Sequence, residues 1–123
     1  MFQLDFKSGV PIYDQIVNGF IKLKALGILK GGDQLPSVRA LASKFSVNPN
    51  TVQKAYIILE GKGIIYSVAG KGSFIAGNDN AKKELMRSAE KTLKDAIVKA
   101  KNAGLTKAEI TEIVANLFSK EEE

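Results

Sequence analysis

Residues 35–75 read LPSVRALASKFSVNPNTVQKAYIILEGKGIIYSVAGKGSFI. Ser37 is a good helix N-cap, because its hydroxyl can accept an early backbone N–H that lacks a partner inside the helix. Behind it, Val38, Leu41, Ala42 and Phe45 recur at helical spacing and predict a buried stripe. Ser46-Val47 makes a turn. Asn48 then caps another helix, with Pro49 at the first position, where a missing N–H leaves no bond unmade. Val52, Ala55, Tyr56 and Leu59 give that helix its apolar face, and Gly61 or Gly63 ends it. There the period changes. Ile64, Ile65, Tyr66 and Val68 are strand formers, as are Phe74 and Ile75. Ala69-Gly70-Lys71-Gly72-Ser73 lies between the two runs, which predicts a hairpin with Gly-Lys-Gly at its tip.

Upstream, a further helix is expected to start near Pro11. Ile12, Ile16, Phe20 and Leu23 supply its apolar face and Gly27 its stop. Gly31-Gly32-Asp33 is a turn, and Gln34-Leu35-Pro36 a short extended piece. Downstream, Gly77-Asn78-Asp79-Asn80 breaks the composition and reads as a short linker or a helix cap. A long helix over 81–102 follows, with Leu85, Ala89, Leu93, Ala96, Ile97 and Ala100 on one face and Gly104 as its stop. Thr106-Lys107-Ala108-Glu109 is a capping box, with Thr at the cap and Glu three residues on. Ile110, Ile113, Val114, Leu117 and Phe118 then form a second amphipathic face, and residues 121–123 are expected to fray. The predicted fold is mainly α. A winged helix-turn-helix of three helices and a β-hairpin wing occupies residues 1–76, and a two-helix region occupies 77–123.

The 123 residues suffice for one domain and an extension. No cysteine and no histidine occur. A disulfide framework, a thiolate metal site and the usual general base near neutral pH are therefore excluded. Nine of the 13 acidic residues follow Ile75, mostly along helix-like charged faces, which argues against a carboxylate enzyme. No cofactor is expected. No apolar run approaches a membrane span, and the first residues lack the pattern of a signal peptide, so the protein is read as cytoplasmic, with no membrane partner. Residues 1–76 carry nine Lys/Arg against four Asp/Glu, whereas 77–123 carry nine of each. The whole net charge of +5 thus sits in the first part. A basic segment joined to a neutral one points to a polyanion partner as readily as to an ordinary soluble surface.

The order helix, helix, turn, helix, hairpin supplies the geometry for meeting DNA. The third helix has to offer polar side chains to the major groove while its apolar face packs on the first two. Asn50, Thr51, Gln53 and Lys54 point away from Val52, Ala55 and Leu59 or lie along the helix start. Asn and Gln can pair bidentately with adenine, and a helix N-terminus accommodates phosphate. The glycines of the wing allow close backbone approach, and Lys71 can reach a phosphate or the minor groove.

Five runs carry a resemblance. They are Pro11 to Ile16, Leu35 to Ala42, Val47 to Val52, Ala55-Tyr56 with Leu59 to Gly63, and Gly70 to Ile75. In this order and spacing they resemble the DNA-binding domain of GntR-type bacterial transcription regulators over most of residues 10–76. That family carries its ligand-sensing part after the wing. The short remainder here resembles the YtrA-type branch, in which C-terminal helices mainly build a homodimer. The resemblance implies DNA contacts from Arg39, from the region of Asn48, Asn50, Thr51 and Gln53, and from the wing at Gly70, Lys71 and Gly72. The full set of expected DNA-contact residues also includes Ser37, Lys44, Lys54 and Tyr56. For Asn48 the cap comes first and DNA second. For Tyr56 packing comes first, with the hydroxyl directed to a phosphate. Lys44 and Lys54 are balanced between phosphate contact and solvated charge.

The favoured expectation is a homodimeric, sequence-specific repressor that binds a palindromic operator and controls its own or a transporter operon. Leu85, Ala89, Leu93, Ala96, Ile97, Ala100, Ile110, Ile113, Val114, Leu117 and Phe118 are the expected dimer surface. Two other readings stand beside it. In one, the winged helix is a protein-interaction module. In the other, an apolar pocket lined by Ile110, Val114, Leu117 and Phe118 takes a small-molecule effector, although plain core is the commoner role for such residues.

Overall fold

In a computed structural model of the protein, residues 1–122 are described, with side chains to residue 120; the last residues, where fraying is expected, lie outside this range. The elements follow in the order α1 (Ile12–Ala25), α2 (Val38–Phe45), α3 (Pro49–Gly61), β1 (Ile65–Val68), β2 (Gly72–Ile75), α4 (Asn80–Asn102) and α5 (Lys107–Glu122). Pro11 sits one place earlier than expected, as the cap of α1 rather than its first residue. Its carbonyl accepts the Gln15 N–H at 3.2 Å.

The first compact unit is Met1–Leu85. Ile16, Val17, Phe20 and Ile21 of α1 meet Leu41 and Ala42 of α2 and Val52, Ala55, Tyr56 and Leu59 of α3, all buried. Ile64, Ile65 and Ile75 close this core from the hairpin. The predicted stripes of α2 and α3 are thus buried, with Val38 and Phe45 only partly so. β1 and β2 pair antiparallel from Ile65 opposite Ile75 to Val68 opposite Gly72. The extended piece at 32–35 runs beside β2. Leu35 N–H donates to Ser73 O at 2.9 Å and Ile75 N–H to Asp33 O at 2.8 Å.

The break at 77–80 is a cap rather than a free linker. Asn78 Oδ1 accepts the Asn80 N–H at 3.0 Å, and the Asn78 and Asn80 amides donate to the carbonyls of Gly63 and Lys62, both at 3.2 Å. Ala81 is buried with the core, and Lys62 pairs with Glu84 at 2.6 Å. The compact unit thus takes in the start of α4.

Four helices end alike. The two N–H groups that follow the last turn bond back to carbonyls inside it, as Gly27 to Lys24 and Ile28 to Leu23 do for α1. The first of these two residues must turn left-handed. At the ends of α1, α3 and α4 it is Gly27, Gly63 or Gly104. At the end of α2 it is Ser46, with φ 55°, bonded through its N–H to Ser43 O, while Val47 bonds to Ala42 O. A side chain in this region costs about 1–2 kcal/mol, partly offset by the extra unfolded-state freedom of glycine. Ser46→Gly is expected to stabilise the unit by about 0.5 kcal/mol. A raised urea midpoint at unchanged slope would register this, and an unchanged or lower midpoint would refute it.

The second unit is Met86–Glu123. The capping box of α5 forms as predicted: Glu109 N–H donates to Thr106 Oγ1 at 3.1 Å, and Thr106 N–H to Glu109 Oε1 at 3.0 Å. The backbone hydrogen bond from Thr106, then the bond with its side chain, holds the Glu109 carboxyl below its usual value. A lowered folded value means that the stabilisation is present above the unfolded pKa and lost as pH falls through the folded one. The Thr106 amide should therefore titrate in NMR with a midpoint below the ordinary glutamate range. An ordinary midpoint would show that the box does not persist in solution.

Candidate nucleic-acid interface

The helix-turn-helix is built from both ends of one turn. Ser37 Oγ accepts the Ala40 N–H at 3.0 Å and so starts α2. Asn48 Oδ1 accepts the Asn50 N–H at 2.8 Å and so starts α3. Between the two helices the Schellman-type bonds of Ser46 and Val47 fix the angle of entry. Burial of Leu41 and Ala42 against Val52, Ala55 and Leu59 leaves the opposite positions outward. Arg39, Lys44, Asn48, Asn50, Gln53 and Lys54 are exposed, as is Ser37, and Thr51 is half-buried.

The wing turns over Ala69 and Gly70, with Lys71 N–H donating to Val68 O at 2.9 Å. Gly70, at φ 74°, supplies the left-handed third residue that such a turn requires. Lys71 thus closes the turn instead of standing at its apex. Gly70, Lys71 and Gly72 are all exposed.

Two expected contacts change character. Tyr56 is buried, at 5% exposure, and its hydroxyl donates to Pro36 O at 2.7 Å. Burial pushes the phenol pKa upward, so it stays a protonated donor. Its proton is committed to tying α3 to the residue before Ser37, and Tyr56 is removed from the phosphate-contact set. Lys54 Nζ lies 3.8 Å from the centroid of the Tyr13 ring, a cation–π contact between α3 and α1. This partner was not foreseen for Lys54.

Two glutamines escaped the sequence reading. Gln34 Nε2 donates to Lys71 O at 2.8 Å. Gln15 binds the chain before α1: its Nε2 donates to Asp5 O at 2.8 Å and Val10 O at 2.9 Å, and its Oε1 accepts the Asp5 N–H at 2.7 Å. Gln34 carried one weak signal, a lone polar residue in an otherwise extended apolar piece. Gln15 carried none.

In the second unit, the expected dimer surface lies largely open. Leu93 is 55% exposed, Leu117 61% and Phe118 64%. Ile97, Ile113 and Val114 are also exposed, as are Ala89 and Ala96, while Ala100 and Ile110 are half-buried; Leu85, the last residue of the first unit, is exposed too. Of the residues expected to line an effector pocket, Val114, Leu117 and Phe118 are exposed and Ile110 is half-buried. Ile110 lines a cavity of about 440 Å3 at the α4–α5 elbow with Ile97, Leu105, Lys101, Thr106 and Lys107. Val114, Leu117 and Phe118 are not in the lining of that cavity.

No helix among the described residues is long and apolar enough to cross a membrane. Residues 13–75 match the model of the gntR family of bacterial regulatory proteins. The chain is 45% identical over 109 residues to the HTH-type transcriptional repressor YtrA of Bacillus subtilis (strain 168), a match covering 85% of this chain and 82% of that one. A crystal structure of a transcriptional regulator from Oenococcus oeni aligns with TM-score 0.80 at 33% identity, over 96% of this chain and 99% of its own. The DNA-binding domain of AraR in complex with operator ORE1 aligns with TM-score 0.53 at 29% identity, over 62% of this chain and 95% of its own. The helix-turn-helix, the wing and the two C-terminal helices thus make the chain a member of the GntR family of bacterial transcription regulators and not an enzyme.

Proposed function

We propose that the protein is a homodimeric repressor that reads a palindromic operator through Arg39, the start of α3 and the wing. The observation that carries the reading is the split within α2 and α3. Their apolar residues other than Ile57 go mostly to the core, and the expected contacts other than Tyr56 and the half-buried Thr51 are exposed. The repressor assignment draws on the similarity to YtrA of Bacillus subtilis. The dimer draws on the open apolar faces of α4 and α5, since contiguous exposed patches of this kind mark contacts. Two-fold symmetry then matches paired half-sites. A protein-interaction module would need a more apolar start to α3 than Asn48-Pro49-Asn50-Thr51 provides.

Gel shift on the protein's own promoter against random duplex tests the reading. No preference at moderate salt would end it. Arg39→Ala is expected to weaken binding to all duplexes alike and to lower the salt slope by about one, the result for a phosphate contact. Relaxed preference at a single base pair would instead make Arg39 a base reader.

A small-molecule effector has one structural support, the elbow cavity with its apolar Ile97, Leu105 and Ile110 and the flanking Lys101 and Lys107. An apolar anion suits that lining. A thermal-shift screen of such compounds would detect a binder by a raised melting temperature.

A further inference from the structure

We propose that Gln34 is a positioning residue for DNA reading, one that holds the wing tip so that Lys71 meets the duplex while the start of α3 occupies the major groove. The proposal rests on the reading that Lys71 touches DNA. A two-stranded hairpin alone is marginal in water and does not keep a fixed direction. Here the wing has a third support. The backbone of Gln34 bridges to Phe74, flanked by the hydrogen bonds from Leu35 to Ser73 and from Ile75 to Asp33. With its main chain fixed beside β2, the Gln34 side chain reaches the tip and donates to Lys71 O at 2.8 Å. The Lys71 N–H is already engaged by Val68 O. Both backbone polar groups of Lys71 are then held, which sets the direction in which its side chain leaves the turn.

Gly72 leaves the contact uncrowded. A Cβ there would stand 3.0 Å from Gln34 Nε2. The other end of the same run is tied to the reading helices. Pro36 O accepts the Tyr56 hydroxyl of α3, and Ser37 starts α2. Residues 34–37 thus join the wing tip, α3 and α2 within four consecutive positions. They supply a second tie between Lys71 and α3, beside the direct connection from α3 into β1.

Gln34→Met keeps the length of the side chain, adds no charge and removes the donor. The full-length chain is measured on its own promoter duplex by fluorescence anisotropy across a salt series. Wild type, Gln34→Met, Lys71→Ala and the double variant are compared. Gln34→Met is expected to bind about three- to ten-fold more weakly, with its salt slope moved toward that of Lys71→Ala. In the Lys71→Ala background it should change affinity by less than about two-fold. In the free protein, the NMR order parameter of the Lys71 amide should fall in Gln34→Met while the urea midpoint holds. If Lys71→Ala loses affinity and slope but Gln34→Met keeps both, the proposal is overturned and the reading of Lys71 stands. If the two losses multiply, Gln34 acts apart from the wing tip, which also overturns it. If Lys71→Ala binds like wild type, the reading of Lys71 fails, and the proposal with it.

Discussion

The paired substitution Leu93→Glu and Phe118→Glu is expected to leave a monomer in sedimentation and to weaken operator binding by about a hundred-fold or more. Both side chains are more than half exposed in the single chain, so charging them removes nothing from its core. The core residues all lie within the first compact unit, and that unit should keep its urea midpoint. What the substitutions remove is the proposed second copy. Two tethered readers bind adjacent half-sites with an effective concentration in the range of about 1 mM, and a lone reader loses this gain. Four added carboxylates facing each other across a two-fold axis would also repel. A dimer that survives both changes, with unaltered affinity, would show that α4 and α5 do not form the interface.

Phe20→Ala is expected to cost about 3–5 kcal/mol and leave much of the chain unfolded at 37 °C. Phe20 is 1% exposed and forms the middle of an aromatic chain. Its ring lies edge-on to Phe2 at 5.2 Å and to Tyr56 at 6.0 Å, and Phe2 continues to Phe45 at 5.4 Å. Phe20 also lines a cavity of about 400 Å3 together with Met1, Leu29, Leu35, Pro36 and Ile75. Truncation therefore enlarges space that already exists beside the core. Urea unfolding should show a fallen midpoint with an unchanged slope, and operator binding should fall with the folded fraction. A loss under about 1 kcal/mol would mean that Phe2 swings in to refill the site. The two variants separate cleanly, since the first affects assembly at constant stability and the second affects stability.

Local chemistry made much of this protein legible. The caps at Ser37 and Asn48 and the box at Thr106 and Glu109 act within a few residues, so their spacing carries the whole interaction. The buried stripes of α2 and α3 follow from a helical period that any core would use. The wing was readable because strand formers flank a glycine-rich tip. These features, in their order, sufficed to indicate the family.

Contacts between distant residues were not legible. Tyr56 looks the same in sequence whether its hydroxyl meets a phosphate or Pro36 O, and only packing of α3 against residues 34–37 decides for Pro36. Lys54 reads as balanced between a phosphate contact and a solvated cation, and only the tertiary structure brings the Tyr13 ring of α1 under it. A Cβ at Gly19 would stand 2.6 Å from the Phe2 ring, so this glycine makes the seat for Phe2, a contact that no local pattern announces. At 77–80 the sequence left a linker and a helix cap open, and the cap also clasps the end of α3 because the Gly63 and Lys62 carbonyls accept the Asn78 and Asn80 amides. The sequence by itself determined which residues form helices, which form the wing and which faces turn inward, because those follow from periods and caps of a few residues. The tertiary structure decided which polar groups are spent inside the domain and which stay exposed, because hydrogen-bond partners 20 or 37 positions apart, as for Tyr56 and Gln34, meet only when the core has closed.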